Sequence, residues 1–272
     1  MKIVVFQAGL GNQIFQYCYY LYLKKKFPKE TFYGFYPSRG LKEHNGLEIN
    51  KWFDVFLPKT SKASKFIAEI LYWTAKVFLR FRVQPPFTDN DWHRKPNAIL
   101  YLGYWQNKEY VQSVELPSFR KDLELGQENE KIISLMNQTN SVAVHVRRGD
   151  YTDPKIQHIY GNIGTLEFYH KAIDIIKSKV DKPHFFFFSD DPSYVRKNFH
   201  EDSMEIVDCN HGDRSFFDLY LMAHSKNMII PNSTFSCWAA YLNKNKPLVV
   251  CPSKWLNDRP SPPVILESWI KI

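Results

Sequence analysis

The chain has 272 residues, 44% of them hydrophobic and 24% charged, with a formal net charge of +8. That is enough apolar material for a substantial core and enough length for two domains. The positive balance admits nucleic acid, an anionic membrane surface or an anionic substrate as partner. No nucleic-acid motif is present, however, and the interleaved aromatics fall at core-like positions. Cys18, Cys209, Cys237 and Cys251 are dispersed, with no Cys-x-x-Cys pair, and indicate neither a disulfide framework nor a zinc site.

Strand and helix patterns alternate from the start, which reads as α/β. Lys2–Gln7 is an apolar strand, and Ala8-Gly9-Leu10-Gly11-Asn12-Gln13 turns it into a helix near Asn12–Phe27. Glycines at such a turn let backbone N–H groups approach an anion, and a plain tight turn accounts for them equally well. Asn12 and Gln13 add side-chain amides suited to a hydroxylated ligand. A strand over Thr31–Phe35 follows, then a loop to about Pro58, a long helix over Ser61–Arg82 and a strand within Ala98–Trp105.

In that long helix Phe66, Ile67, Ile70, Leu71, Trp73, Val77, Phe78 and Phe81 make a broad apolar face. Lys62, Lys65, Lys76, Arg80 and Arg82 surround it, with Glu69 the only acid. Two readings stand: a core helix whose basic ends snorkel to water, or a peripheral contact with an anionic membrane through residues 61–82.

The second half is more regular. A buried strand, Val142–Val146, ends in His145-Val146-Arg147-Arg148-Gly149-Asp150-Tyr151. Charged groups at a buried strand end are costly without partners, and in open α/β sheets ligands bind at the carboxyl ends of the strands. Arginine's planar fork suits a phosphate. Alternation puts Arg147 on the side of His145 and turns Arg148 the other way. An Arg/Asp pair knitting the strand end to a neighbouring loop is the competing explanation.

Helices at Leu166–Val180, Pro192–Phe199, Phe216–His224 and Phe235–Asn243 alternate with strands at His184–Phe188, Met204–Val207, Asn227–Ile230 and Pro247–Cys251. Ser189-Asp190-Asp191-Pro192 reads as a helix N-cap at Asp191, since adjacent strand residues point to opposite faces and seldom share a metal ion. Asp218, among apolar residues, needs a donor if buried. Ser233, Thr234 and the following amides open a helix in a way that suits a phosphate or a simple cap. The Pro-rich tail at 258–263 breaks structure, and the last residues are expected to pack back on the first domain. The boundary is placed between domains 1–130 and 131–272.

Taken in order, Gly9-Leu10-Gly11-Asn12-Gln13, Gly103-Tyr104-Trp105-Gln106, the His145–Tyr151 segment and Asn232-Ser233-Thr234-Phe235-Ser236-Cys237-Trp238-Ala239-Ala240-Tyr241-Leu242 resemble the bacterial and animal α-1,2-fucosyltransferases. The resemblance spans residues 9 to 242. It implies a GT-B architecture, two Rossmann-like domains facing a cleft, and inverting transfer of fucose from GDP-β-L-fucose to the 2-hydroxyl of a galactose-containing acceptor. It implies no cofactor and no metal. By likeness to the superfamily, His145 and Asp218 recognise guanine and Arg147 the β-phosphate. Ser233, Thr234 and Phe235 line the diphosphate, and Gly11 and Asn12 close over phosphate and fucose from the first domain. Where core fucosyltransferases carry a glutamate ten residues after the motif histidine, this chain has Lys155. The general base is therefore open among Asp153, His158 and Asp150.

Three other classes are compatible with the sequence: a non-catalytic GDP-sugar-binding protein, a protein O-fucosyltransferase-like enzyme, and a basic nucleic-acid binder. No apolar run reaches transmembrane length. The sequon Asn232-Ser233-Thr234 lies inside the expected site, where a glycan would block it. The expected location is the bacterial cytoplasm, with the helix contact at the membrane the one reservation.

Overall fold

The computed structural model of the chain describes residues 1–42, 45–91, 93–95 and 97–272, the side chains of Asp150 and Thr152 excepted. They form two compact units, Met1–Asp122 and Leu123–Ile272. Each is an α/β unit on a parallel sheet.

The first unit runs β1 (Lys2–Val5), α1 (Leu10–Lys26), β2 (Phe32–Phe35), α2 (Ser38–Lys42), α3 (Ile49–Trp52), β3 (Phe53–Asp54), α4 (Lys62–Arg80), β4 (Thr88–Asp89), β5 (Leu100–Tyr101), α5 (Lys108–Gln112) and β6 (Ser118–Phe119). Among the described residues its main sheet has the order β2-β1-β5-β4, all parallel. Ile3, Val4 and Val5 are fully buried, as a parallel strand covered on both faces requires.

Helix α1 is held to this sheet by buried amides rather than by apolar contact alone. Gln13 Nε2 donates to the carbonyls of Ala8 and Gly46, both at 2.8 Å, and its Oε1 accepts from the amides of Glu48 at 2.8 Å and Ile49 at 3.2 Å. Gln16 accepts from the Gln7 amide and donates to the Gly103 carbonyl. Gln13 is therefore consumed by the fold and not offered to a ligand. The turn's positive φ falls on Ala8, at +65°, not on a glycine. That strain is held by bonds to both sides of the Ala8 residue, its amide donating to Gly40 O.

In α4, Ser61 and Ser64 cap one another reciprocally at the N-terminus. Only Ser64, Ala68, Tyr72 and Ala75 are buried. The broad apolar face is thus divided: Ile67 and Leu71 pack against the core beside these residues, while Phe66 is 69% exposed and Phe81 73%. Reading the whole stripe as core fails because periodicity shows that a helix has a face, not which face is covered.

The second unit runs α6 (Gln127–Gln138), β7 (Asn140–Val146), α7 (Gln157–Tyr160), α8 (Leu166–Lys179), β8 (Pro183–Ser189), α9 (Pro192–Asn198), β9 (Met204–Val207), α10 (Phe216–Met222), β10 (Asn227–Ile229), α11 (Thr234–Leu242), β11 (Leu248–Cys251) and β12 (Ile270–Lys271). Its sheet has the order β12-β11-β10-β7-β8-β9, parallel throughout. The chain moves outward through β8 and β9, then returns to the other side of β7 at β10. This is the doubly wound order, with its switch point between β7 and β10. One face is closed by α8 and α9, whose Tyr169, Ile173, Ile176, Val195 and Phe199 pack on Val142, Val144, Phe185 and Phe187.

The division falls before α6, which packs on β7 and α10. The last residues join the sheet of the second unit: β12 pairs with β11, and the Ile272 amide donates to Cys251 O at 3.1 Å. The open edge of β11 supplies carbonyls that the tail satisfies.

Replacing Gln13 by Ala should destabilise the first unit by about 3 kcal/mol, because buried backbone donors and acceptors lose their partners. Gln106→Ala, at a half-buried position, should cost less than about 1 kcal/mol. Denaturant midpoints compare the two, and equal losses would show that Gln13 carries no more than a surface amide.

Candidate functional site

The switch point of the second sheet gathers the motif residues, since the loops leaving adjacent parallel strands emerge at one edge. From β7 come His145 and the segment Arg147–Tyr151; from β8, Ser189–Asp191; from β10, Pro231–Phe235 at the start of α11.

His145 is buried, its Nδ1 sharing a hydrogen bond with Ser236 Oγ at 2.8 Å and its ring centroid 5.9 Å from that of Phe235. Burial, reinforced by the Arg147 charge, pushes its pKa down to about 3. The imidazole is neutral at physiological pH, so it acts as a hydrogen-bonding group rather than a charge.

Arg147 and Arg148 diverge. Arg147 Nη1 is 2.8 Å from Asp190 Oδ2, and its guanidinium lies 5.7 Å from the Tyr151 ring. Arg148 lies 4.0 Å over the Tyr194 ring of α9, with Asp191 at the same distance. Asp190 also accepts the Arg148 amide at 2.9 Å, and Asp191 caps α9 by accepting from the Tyr194 amide at 3.0 Å. The acidic pair is thus committed to arginines and to a helix cap. Gly149 lets Asp190 approach closely, since a Cβ there would stand 2.5 Å from Asp190 Oδ2 and the carboxylate would have to shift.

Tyr151 closes this loop onto the next. It stacks on Tyr160, and its hydroxyl donates to Asn232 O at 2.8 Å, while Asn232 Nδ2 donates back to Tyr160 O at 3.1 Å. Ser233 is buried at the N-cap of the nine-residue α11, yet its side chain does not cap the helix. The plain capping explanation for Ser233 therefore falls. Thr234 and Phe235 are half-buried in the first turn, where the helix's backbone dipoles favour an anion.

Asp218, in the first turn of α10, accepts from Asn210 Nδ2 at 2.9 Å. Asn210 and Asn129 exchange hydrogen bonds with each other, at 3.0 and 2.9 Å. Asn129 lines a pocket of about 240 Å³ with Gly126, Cys209 and Arg214. Burial pushes the Asp218 carboxyl up to about 7 against the pull of the Asn210 amide, with nearby Asp208 adding to the rise. Sequence reasoning missed both asparagines, although Asn210 follows the carboxyl end of β9, where the strand-end rule would have flagged it.

The three candidate bases lie in the segment after β7. Asp153 and His158 are exposed, and Asp153 Oδ1 accepts the amide of Lys155 at 2.9 Å. The side chain of Asp150 lies outside the described residues.

The first unit has a switch point of its own between β1 and β5, and there the other two motifs meet. Asn12, half-buried in the first turn of α1 beside buried Gly11, accepts from Gln106 Nε2 at 2.9 Å. Asp91 accepts the amides of Tyr104 at 2.6 Å and Trp105 at 2.8 Å, and a Cβ on Gly103 would meet it at 2.8 Å.

The family model described as "Glycosyl transferase family 11" matches residues 10–272. The chain is 28% identical to the O-antigen biosynthesis glycosyltransferase WbnK of Escherichia coli, over 97% of this chain and 98% of the relative. It is 27% identical to an alpha-1,2-colitosyltransferase of the same organism, over 100% and 99%. The fucosyltransferase NodZ from Bradyrhizobium superposes with a TM-score of 0.48 at 14% identity, over 88% of this chain and 91% of that one. The chain belongs to glycosyl transferase family 11.

Proposed function

We propose that the chain transfers L-fucose from GDP-β-L-fucose to the 2-hydroxyl of a β-galactoside in a cell-surface glycan, with inversion to an α-1,2 linkage and without a metal ion. The observation that carries this reading is Arg147, placed at the end of β7 and linked through Tyr151 to the loop that opens α11. Breaking the C1–O bond of the donor leaves negative charge on the β-phosphate. Arg147 and the first-turn amides of α11, from Ser233 to Phe235, meet that charge as it develops. Neutral His145 and the carboxylate of Asp218 recognise the guanine, the latter accepting from N1–H and the 2-amino group. The proton of the attacking hydroxyl leaves to Asp153, His158 or Asp150.

The full-length similarity to a colitosyltransferase favours a second donor, GDP-colitose. Incubation with each GDP-sugar and a panel of β-galactosides, with linkage analysis of the product, tests both readings. An α-1,2-fucosylated galactoside is expected; product from GDP-colitose alone, or no product from either donor, refutes the fucosyl reading.

Arg147→Ala should lower turnover at least about a hundredfold, the scale of losing a principal transition-state donor. Arg148→Ala should leave turnover within about threefold and cost about 1 kcal/mol of stability, as its stacking on Tyr194 is structural. Equal losses of activity would contradict the divergence of the two side chains. Activity should survive EDTA, and a loss that Mn²⁺ restores would refute metal independence.

Asp218 gives a pH signature. Its carboxyl is raised to about 7 in the free chain, and a guanine donating two hydrogens binds the ionised form. GDP affinity should therefore rise with pH and flatten above 7, with binding expelling a proton. Below the pKa it should weaken by about tenfold per pH unit. Titration calorimetry between pH 6 and 8 on wild type and Asp218→Asn reads this, the variant cancelling the nucleotide's own titration. The same slope in both proteins would remove Asp218 from the base site.

A further inference from the structure

Helix α4 packs Ile67, Leu71 and Leu79 against the core and turns a second apolar stripe outward. Its buried positions are Ser64, Ala68, Tyr72 and Ala75, three of them small. Phe66, Ile70, Trp73 and Val77, continued by Phe81 just past the end, recur every three or four residues, which is one helix face. They are 69%, 52%, 42%, 55% and 73% exposed. Such a contiguous apolar stripe on a protein surface marks an interaction site. Lys62, Lys65, Lys76 and Arg80 are all exposed on the same helix. Its one acid, Glu69, is engaged by Trp73 Nε1 at 2.8 Å.

We propose that this face of α4 docks on an anionic lipid bilayer, the helix lying in the plane of the interface. An aromatic and aliphatic stripe flanked by lysine and arginine is the composition that such helices need, the stripe entering the acyl boundary and the cations meeting headgroups. No helix among the described residues is long and apolar enough to cross a membrane, so the contact is lateral. Charge selects the bilayer over a second copy of the chain. Pairing two α4 faces would bring two sets of basic side chains together in a protein whose formal net charge is already +8. An anionic surface instead neutralises them. The inference rests on the first unit alone and does not depend on which sugar is transferred.

Flotation of the full chain with vesicles tests it, using phosphatidylglycerol mixed with phosphatidylcholine against phosphatidylcholine alone. Wild type should float with the anionic vesicles, stay unbound with the neutral ones, and release as salt is raised. Lys62→Glu with Arg80→Glu should weaken binding by about thirtyfold or more, from about 1 kcal/mol per lost basic residue. Phe66→Gln with Ile70→Gln should abolish it, with far-ultraviolet circular dichroism confirming that both variants keep their helices. The salt dependence of wild type is readable even if a variant does not fold. Wild type left unbound by anionic vesicles at low salt would overturn the proposal. So would binding indifferent to salt, or a dimer in sedimentation velocity that Phe66→Gln with Ile70→Gln dissociates.

Discussion

The parallel pairing of β10 against β7 is the constraint from which the candidate site follows. Its register sets Ile229 beside Val144, so the chain beyond β10 rises alongside His145 and Arg147. Only that alignment allows the Tyr151 hydroxyl to reach Asn232 O, and Ser236 to reach the His145 ring. Elsewhere in this sheet neighbouring strands are joined by connections that cover the crevice above their ends. At the switch point the two connections leave in opposite directions, and that divergence is where open α/β sheets bind their ligands.

The charges at the end of β7 are Arg147 and Arg148 with the carboxylates of Asp190 and Asp191 that hold them, and Asp218 stands apart from them with Asn210. His145 is held neutral by burial, and Asp218 is held near half-ionisation by burial against the Asn210 amide. Arg147 is paired with Asp190, with both side chains about a third exposed, and an ion pair in such a setting is worth little. The pair therefore adds little stability of its own, and its effect is to hold the Arg147 guanidinium in one orientation beside Asp190. Arg148 gains its stability from Tyr194 instead, which is why two adjacent arginines take different duties.

Much of this was legible in sequence because it is local. The run from Val142 to Tyr151 announces a buried strand ending in charge, and Asn232–Leu242 a turn into a helix. Asp191 before Pro192 was readable as a cap from two residues. The illegible parts are long-range. Nothing near Gln13 says that its amide is spent on Gly46, Glu48 and Ile49, and nothing near Asp218 names Asn129 as the second asparagine in its chain of hydrogen bonds. The pairing of the tail with β11 is not legible either, because two residues of strand carry no pattern and the Pro-rich stretch before them hides its course.

The two units share a device that no single motif reveals. In the first, Asp91, just beyond β4, accepts amides from the loop that leaves the neighbouring strand β5. In the second, Asp190, just beyond β8, accepts the Arg148 amide from the loop that leaves the neighbouring strand β7. Each carboxylate presses on a glycine, Gly103 or Gly149, that has no room for a Cβ. A carboxylate borrowed from the next strand fixes a loop that no regular ladder can hold, since the ladder ends where the strand does. Glycine here permits the close approach of the carboxylate and is not a response to backbone dihedrals. Both loops begin at the inner strand of a switch point, where a displaced backbone would most disturb a ligand. The rigidity is supplied from the side, which leaves the upper edge of the sheet clear.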